Sequence, residues 1–171
     1  MKRWVLAVLA ALMLAGLQVC AGEPVIIGER MQFKSSVLNE ERAYSVALPP
    51  SYATEPARRY PVLYLLDAQG TFAHVSAVVD QLSRYGDIPE MLVVGIDSTA
   101  RLRDLTPTDW SEMNGEDGGG PKFKRFLDEE LIPHIDRAYR TDDYRILFGH
   151  SLGGLFALYS ATDPASPFRA H

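Results

Sequence analysis

Gly149-His150-Ser151-Leu152-Gly153 is the stretch of this sequence best suited to covalent chemistry. It fits the pattern G-x-S-x-G, in which a serine occupies a sharp turn between a strand and a helix. The turn holds the serine in a backbone conformation that a side chain two residues away on either flank would obstruct, so both flanking positions must be small. The hydroxyl is thereby pushed out above the sheet edge. A pentapeptide can arise by chance, and a glycine-rich strand–helix turn without chemistry uses the same letters. The setting favours chemistry. Arg145-Ile146-Leu147-Phe148 reads as a buried strand, Leu152, Leu155, Phe156 and Tyr159 then fall on one face of a helix, and Gly154 lets that helix approach the sheet. Ser151 is the expected nucleophile.

A serine needs a base, and the histidines before it are weak substitutes for one. His150 sits in the turn itself, where neighbouring side chains diverge; it is expected to hold the turn, with direct catalysis or substrate contact as the alternatives. His74 falls early in a helix and is a candidate substrate contact, against a plain solvated position. His134, behind Pro133 in an amphipathic helix, reads as structural. Arg101-Leu102-Arg103-Asp104 follows a buried strand, where open α/β sheets gather their active-site loops. Either these arginines pin a long loop through aspartate, or Arg101 or Arg103 meets an anionic or polar group of a substrate.

The elements that must position these residues are legible from periodicity. Residues 31–37 and 43–48 read as a hairpin joined by Asn39-Glu40-Glu41-Arg42, and Pro49-Pro50 ends it. Residues 61–66 form a continuous apolar run, as does 91–96; such runs are strands buried on both faces of a parallel sheet. Between them, Asp67-Ala68-Gln69-Gly70 breaks the first strand, and Phe72, Val75, Val78, Val79 and Leu82 predict a helix to about residue 84. Strand, helix and strand in that order make a parallel crossover. Residues 97–121 show no period and form a loop longer than a mere connector. Phe123, Phe126, Leu127, Leu131 and Ile135 predict a further helix with Pro133 as its kink, and 145–148 the last strand. One α/β domain over residues 22–171 is the economical reading.

The 171 residues are 47% hydrophobic and 23% charged, the composition of an ordinary globular chain. The start differs. Lys2 and Arg3 precede an apolar run at 4–17, and Val19-Cys20-Ala21 offers small residues at the positions a signal peptidase reads. Cleavage after Ala21 and a periplasmic or secreted location are expected. A membrane anchor is the rival, but the run falls short of the ~20 residues that span a bilayer. Lipid attachment at Cys20 is a third possibility, though Val19 is larger than the residue such signals want. Cleavage removes two of the 17 basic residues and none of the 22 acidic ones, leaving −7 and no basic surface for nucleic acid or an anionic membrane. It also removes Cys20, the sole cysteine, so no disulfide is expected.

Three stretches carry a resemblance: Tyr60-Pro61-Val62-Leu63-Tyr64-Leu65-Leu66-Asp67, Arg101-Leu102-Arg103-Asp104-Leu105-Thr106-Pro107 and Phe148-Gly149-His150-Ser151-Leu152-Gly153-Gly154. Together they resemble the putative-esterase branch of the α/β-hydrolases, which includes enterochelin-type siderophore esterases, S-formylglutathione hydrolases and mycobacterial mycolyltransferases. The resemblance implies an α/β-hydrolase sheet and an acyl-enzyme on Ser151 that water then hydrolyses. It also implies an oxyanion hole made by the backbone N–H of Leu152 and, by position after the third strand, that of Gln69. Ala68 stands where these relatives often have glycine. A small-molecule ester is the implied substrate, siderophore or acyl ester among them, with no metal or organic cofactor.

In this fold the triad runs Ser, then Asp or Glu, then His. After Ser151 there remain only Asp163 and His171. A helix rising ~1.5 Å per residue carries Asp163 toward the opposite end of the sheet, so this pair is not expected to serve. The chain is thus expected to be the N-terminal portion of a serine esterase, cut after the helix that follows the nucleophile, and impaired without its acid and histidine. The alternative is a non-catalytic binding module derived from the same fold.

Overall fold

The two continuous apolar runs become the middle of a five-stranded sheet. In the computed structural model, which describes residues 22–110 and 117–171, they are β3 (Tyr60–Leu66) and β4 (Leu92–Ile96), parallel from Val62↔Leu92 to Leu66↔Ile96. All of β4 and all of β3 except Pro61 are buried, as strands covered on both faces must be. The hairpin is β1 (Glu29–Ser35) and β2 (Glu40–Ala47), and β2 runs antiparallel beside β4. On the far side β5 (Thr141–Phe148) lies parallel to β3, giving the order β1-β2-β4-β3-β5. The expected signal at 1–21 and residues 111–116 of the long loop lie outside the described residues.

Alternation along the strands sorts the core into two layers. Val62, Tyr64, Leu66, Val94 and Ile96 meet Phe123, Phe126, Leu131 and Phe156, which come from the chain after β4 and β5. Leu63, Met91 and Val93 point the other way, onto Phe72, Val75 and Val79 of α1 (Ala68–Tyr85). The helix α1 lies so close over β4 that a Cβ on Gly95 would stand 2.6 Å from the Phe72 ring and 2.7 Å from Ala68. Glycine there lets the N-terminal turn of α1 sit down on the sheet. On the opposite layer α3 (Gly120–Arg125) meets α5 (Leu152–Ala161) through Phe123 and Phe156, rings 5.2 Å apart and edge to face.

Five expectations are corrected. The charged residues Glu40, Glu41 and Arg42 lie inside β2 and not in the hairpin turn. Arg42 is 1% exposed, bonds Asp104 at 2.6 Å and the Asp97 carbonyl at 3.1 Å, and lies over the Phe123 ring. A partner 62 residues away thus places it in the core. The turn falls at residues 36–39: Asn39 takes φ 60°, and the Glu130 carboxylate accepts the N–H groups of Ser36 and Val37 at 2.9 and 3.1 Å.

The helix α1 begins at Ala68, so Gln69 and Gly70 are its first turn and not a break before it. The helix around Pro133 runs on: a π-helical turn (Phe126–Leu131) joins α3 to α4 (Ile132–Ala138). A wider turn just ahead of Pro133 accommodates its missing N–H and the clash with the carbonyl four residues back. Lastly, β5 starts at Thr141, four residues before the apolar run, with a register shift against β3 that lets Asp142 to Tyr144 bulge. The long loop also contains a short helix, α2 (Arg101–Leu105).

Candidate active site

Two turns leave the sheet side by side. β3 and β5 are neighbours with Leu65 paired to Phe148, and each ends by handing the chain to a helix through a residue with positive φ. After β3 it is Asp67, at φ 56° and ψ 40°; after β5 it is Ser151, at φ 58° and ψ −119°. Among the described non-glycine residues, only Asn39 shares a positive φ with them. Such conformations cost on the order of 1–3 kcal/mol each and persist only where the surroundings enforce them. At Ser151 the enforcement is visible. A Cβ on Gly149 would stand 2.2 Å from the backbone C and O of Gly153, and one on Gly153 would stand 3.4 Å from Asp67 Oδ2. At Gly149 backbone thus meets backbone, whereas Gly153 faces the side chains of Asp67 and Leu66.

Ser151 is exposed, and its hydroxyl caps nothing. Neither helix is capped by a side chain at its start. The N–H groups of Gln69 and Leu152 lie in the first turns of α1 and α5, have no partner within a helix, and find none elsewhere among the described residues. Each of these two helices thus starts with a free amide and the positive end of its dipole.

The strand order adds a separate pointer. From β3 the chain crosses to β4 on one side, then returns past it to β5 on the other, and ligands of open α/β sheets bind in the crevice beyond the strand ends at such a reversal. Two cavities flank this point. One of about 280 Å³ beside α1 is lined by Arg30, Ser45, Gln69, Gly70, Phe72 and Asp97, with Arg30 paired to the Asp97 carboxylate. The other, about 720 Å³ and open, runs along β5 and α5 past Ser151, Phe148, Leu155, Leu158 and His171.

The remaining expected residues are dispersed. His150 is exposed, and only its backbone carbonyl is engaged, by Gly153 N–H at 3.0 Å and by Arg101 Nη2 at 3.5 Å. His74 is exposed on α1 and lines neither cavity. His134 bonds Tyr44 Oη at 2.9 Å and packs on Phe33; burial, with Arg137 nearby, lowers its pKa from 6.5. Asp163 pairs with Lys124 at 2.8 Å beyond the far end of α5.

Arg101 and Arg103 part company. Two residues apart on a helix, they point to different sides. Arg103 bonds Glu40 at 2.7 Å and Asp104 at 2.7 Å, and with Arg42 it draws the Glu40 carboxyl down to about 2. Arg101 grips Asp67 through Nε at 3.0 Å and Nη2 at 2.9 Å. Sequence reasoning passed over Asp67 and Ser98. Ser98 Oγ donates to Asp67 Oδ1 at 2.5 Å, and its N–H donates to Gln69 Oε1 at 3.0 Å. An aspartate directly after a buried strand was the available signal. Among the described residues, no cluster of three His, Cys, Asp or Glu side chains could hold a metal ion.

The family profile described as Putative esterase matches residues 35–170, which takes in every strand but most of β1. The chain belongs to this family. Among its relatives are the ferri-bacillibactin esterase BesA of Bacillus subtilis, 39% identical over 78% of this chain and 53% of that protein, and the apo-salmochelin esterase of Escherichia coli, 30% identical over 70% of this chain and 42% of that protein. The chain spans about half the length of the curated relatives it matches. The crystal structure of an IroE-like serine hydrolase from Shewanella oneidensis superposes with a TM-score of 0.77 at 34% identity, covering 82% of this chain and 48% of that one. The fold of the chain is accordingly of the α/β-hydrolase type.

Proposed function

We propose that this esterase-family chain carries the nucleophile and oxyanion hole of a serine esterase that cleaves carboxylic esters through an acyl-enzyme. Ser151 Oγ attacks the ester carbonyl, the alcohol leaves, and water hydrolyses the acyl-serine. The N–H groups of Leu152 and Gln69 receive the oxyanion, and such a donor is worth about 3 kcal/mol of barrier. The acid and the histidine that activate Ser151 belong, on this reading, to the half of the relatives' length that residues 1–171 do not span. Siderophore esters are the favoured substrates, because relatives at 39% and 30% identity are named for ferri-bacillibactin and apo-salmochelin.

The observation that carries the reading is the backbone of Ser151, φ 58° and ψ −119° at a strand–helix bend, beside the uncapped N-terminus of α1. A turn of structural purpose alone has no reason to hold a non-glycine residue there. The test supplies the missing base from solution. The 171-residue protein is incubated with p-nitrophenyl acetate and imidazole, and Ser151→Ala gives the background. Expected are a Ser151-dependent rate that rises with imidazole and an acetyl group on Ser151 by peptide mass spectrometry. Equal rates for both proteins and no adduct at Ser151 would overturn the proposal.

A further inference from the structure

An oxyanion hole built from two helices poses a mechanical problem that the sheet does not solve. Its two donors must converge to within about 2.7–3.1 Å of one oxygen. Yet β3–β5 pairing stops at Leu65↔Phe148, before either turn begins. Beyond that point, a third segment joins the two turns. Residues Ser98 to Arg101, from the loop after β4 to the first residue of α2, reach across both.

The first turn is held through its acid and its glutamine. Asp67 Oδ1 accepts Ser98 Oγ at 2.5 Å and Arg101 Nε at 3.0 Å, Oδ2 accepts Arg101 Nη2 at 2.9 Å, and Gln69 Oε1 accepts Ser98 N–H at 3.0 Å. The second turn is held through its carbonyl, since the same Arg101 Nη2 reaches His150 O at 3.5 Å. Only a planar guanidinium can offer one edge to a carboxylate and still direct a hydrogen from the same nitrogen to a third acceptor.

We infer that Arg101 is a positioning residue: it clamps Asp67 to the His150 carbonyl and so fixes the Gln69 amide at its working distance from Ser151 and the Leu152 amide. Its guanidinium is spent on the protein, and it takes no part in holding the ester. The side chain is 39% exposed and its partner 20% exposed, so the pair adds little to global stability. Its effect falls on geometry.

This inference rests on the acylation of Ser151 proposed above, and the experiment separates the two. The imidazole-supported acylation is followed against ester concentration for the wild type, Arg101→Gln, Arg101→Lys and Ser98→Ala. Arg101→Gln should lower the maximal acylation rate about 10²-fold, the loss of one oxyanion donor, with KM within about twofold. Arg101→Lys, which keeps the charge and loses the fork, should recover only part of the rate. Ser98→Ala, which removes one bond to Asp67 and leaves the arginine, should give a smaller fall of the same kind. A rise in KM at unchanged maximal rate would make Arg101 a substrate contact and overturn the inference, as would rates equal to the wild type. Absence of acylation in the wild type would instead remove the proposed function itself.

Discussion

Replacing Gly149 by alanine tests the tightest contact around Ser151. Gly149 does not occupy the left-handed region, so the objection to a side chain there is one of space alone. The added methyl would meet the Gly153 carbonyl carbon and oxygen at 2.2 Å and the Gly153 Cα at 2.9 Å, all of them backbone. To reach even a tight contact, the start of α5 must retreat from the end of β5 by about 1 Å. That helix is not free to move, because Phe156 is fully buried against Phe123. Overpacking against fixed backbone costs about 3 kcal/mol. At about 2–4 °C per kcal/mol for a chain of this size, Tm should fall by roughly 6–12 °C.

Gly70→Ala is the matched control. A Cβ there meets nothing within 4 Å, and Gly70 lies in the first turn of α1, so the same substitution should stabilise by about 0.5–1 kcal/mol. Thermal and urea denaturation followed by circular dichroism measure both. A Gly149→Ala protein that melts within 2 °C of the wild type, and still acylates Ser151, would refute the claim that close backbone approach forms the turn.

Arg42→Ala should destabilise by about 3 kcal/mol, since it takes the buried cation from Asp104 Oδ2 and leaves that carboxylate only the Arg103 bond to Oδ1; the double variant Arg42→Met, Asp104→Leu should recover most of the loss. Urea titration checks both, and a loss no greater than that of removing the exposed Arg125–Glu129 pair would sink the expectation. Glu40 supplies a pH dependence. The Arg103 hydrogen bond, aided by Arg42, holds its carboxyl near 2 instead of 4.5, so its pairing contributes fully above about 4.5 and is lost as pH falls toward 2. Denaturation midpoints should drop across that window in the wild type and drop less in Glu40→Gln; parallel curves would exclude the pairing.

Local signals carried the fold as far as local energetics decide it. The runs 61–66 and 91–96 were legible because strands buried on both faces have no freedom to be polar. The β5 boundary was not, because Thr141-Asp142-Asp143-Tyr144 holds its place through pairing and a bulge against β3, not through an apolar pattern. Glu40-Glu41-Arg42 looked like a turn since charge usually marks one; what makes it strand is Asp104 and Arg103, some 60 residues on. The site divides in the same way. Gly149, Ser151 and Gly153 form a motif because their contacts span four residues, whereas the Asp67–Arg101 pairing links residues 34 apart and leaves no spacing to read.

The chemical capacity of the site follows from where the chain reverses across the sheet. α1 covers one face between β3 and β4, while α3, the π-helical turn and α4 cover the other between β4 and β5, so the ends of β3 and β5 open into a crevice that neither crossover fills. Both helices that start there present bare amides to it. A negative charge appearing in that crevice is stabilised by two dipoles with no acidic side chain in either first turn to oppose it. Asp67 stands nearest, and its charge is answered by Arg101. Neutralising Asp67 is therefore a second consequence of the same guanidinium that spans the two turns: on the proposed mechanism, an unpaired carboxylate there would oppose a charge developing on the ester oxygen.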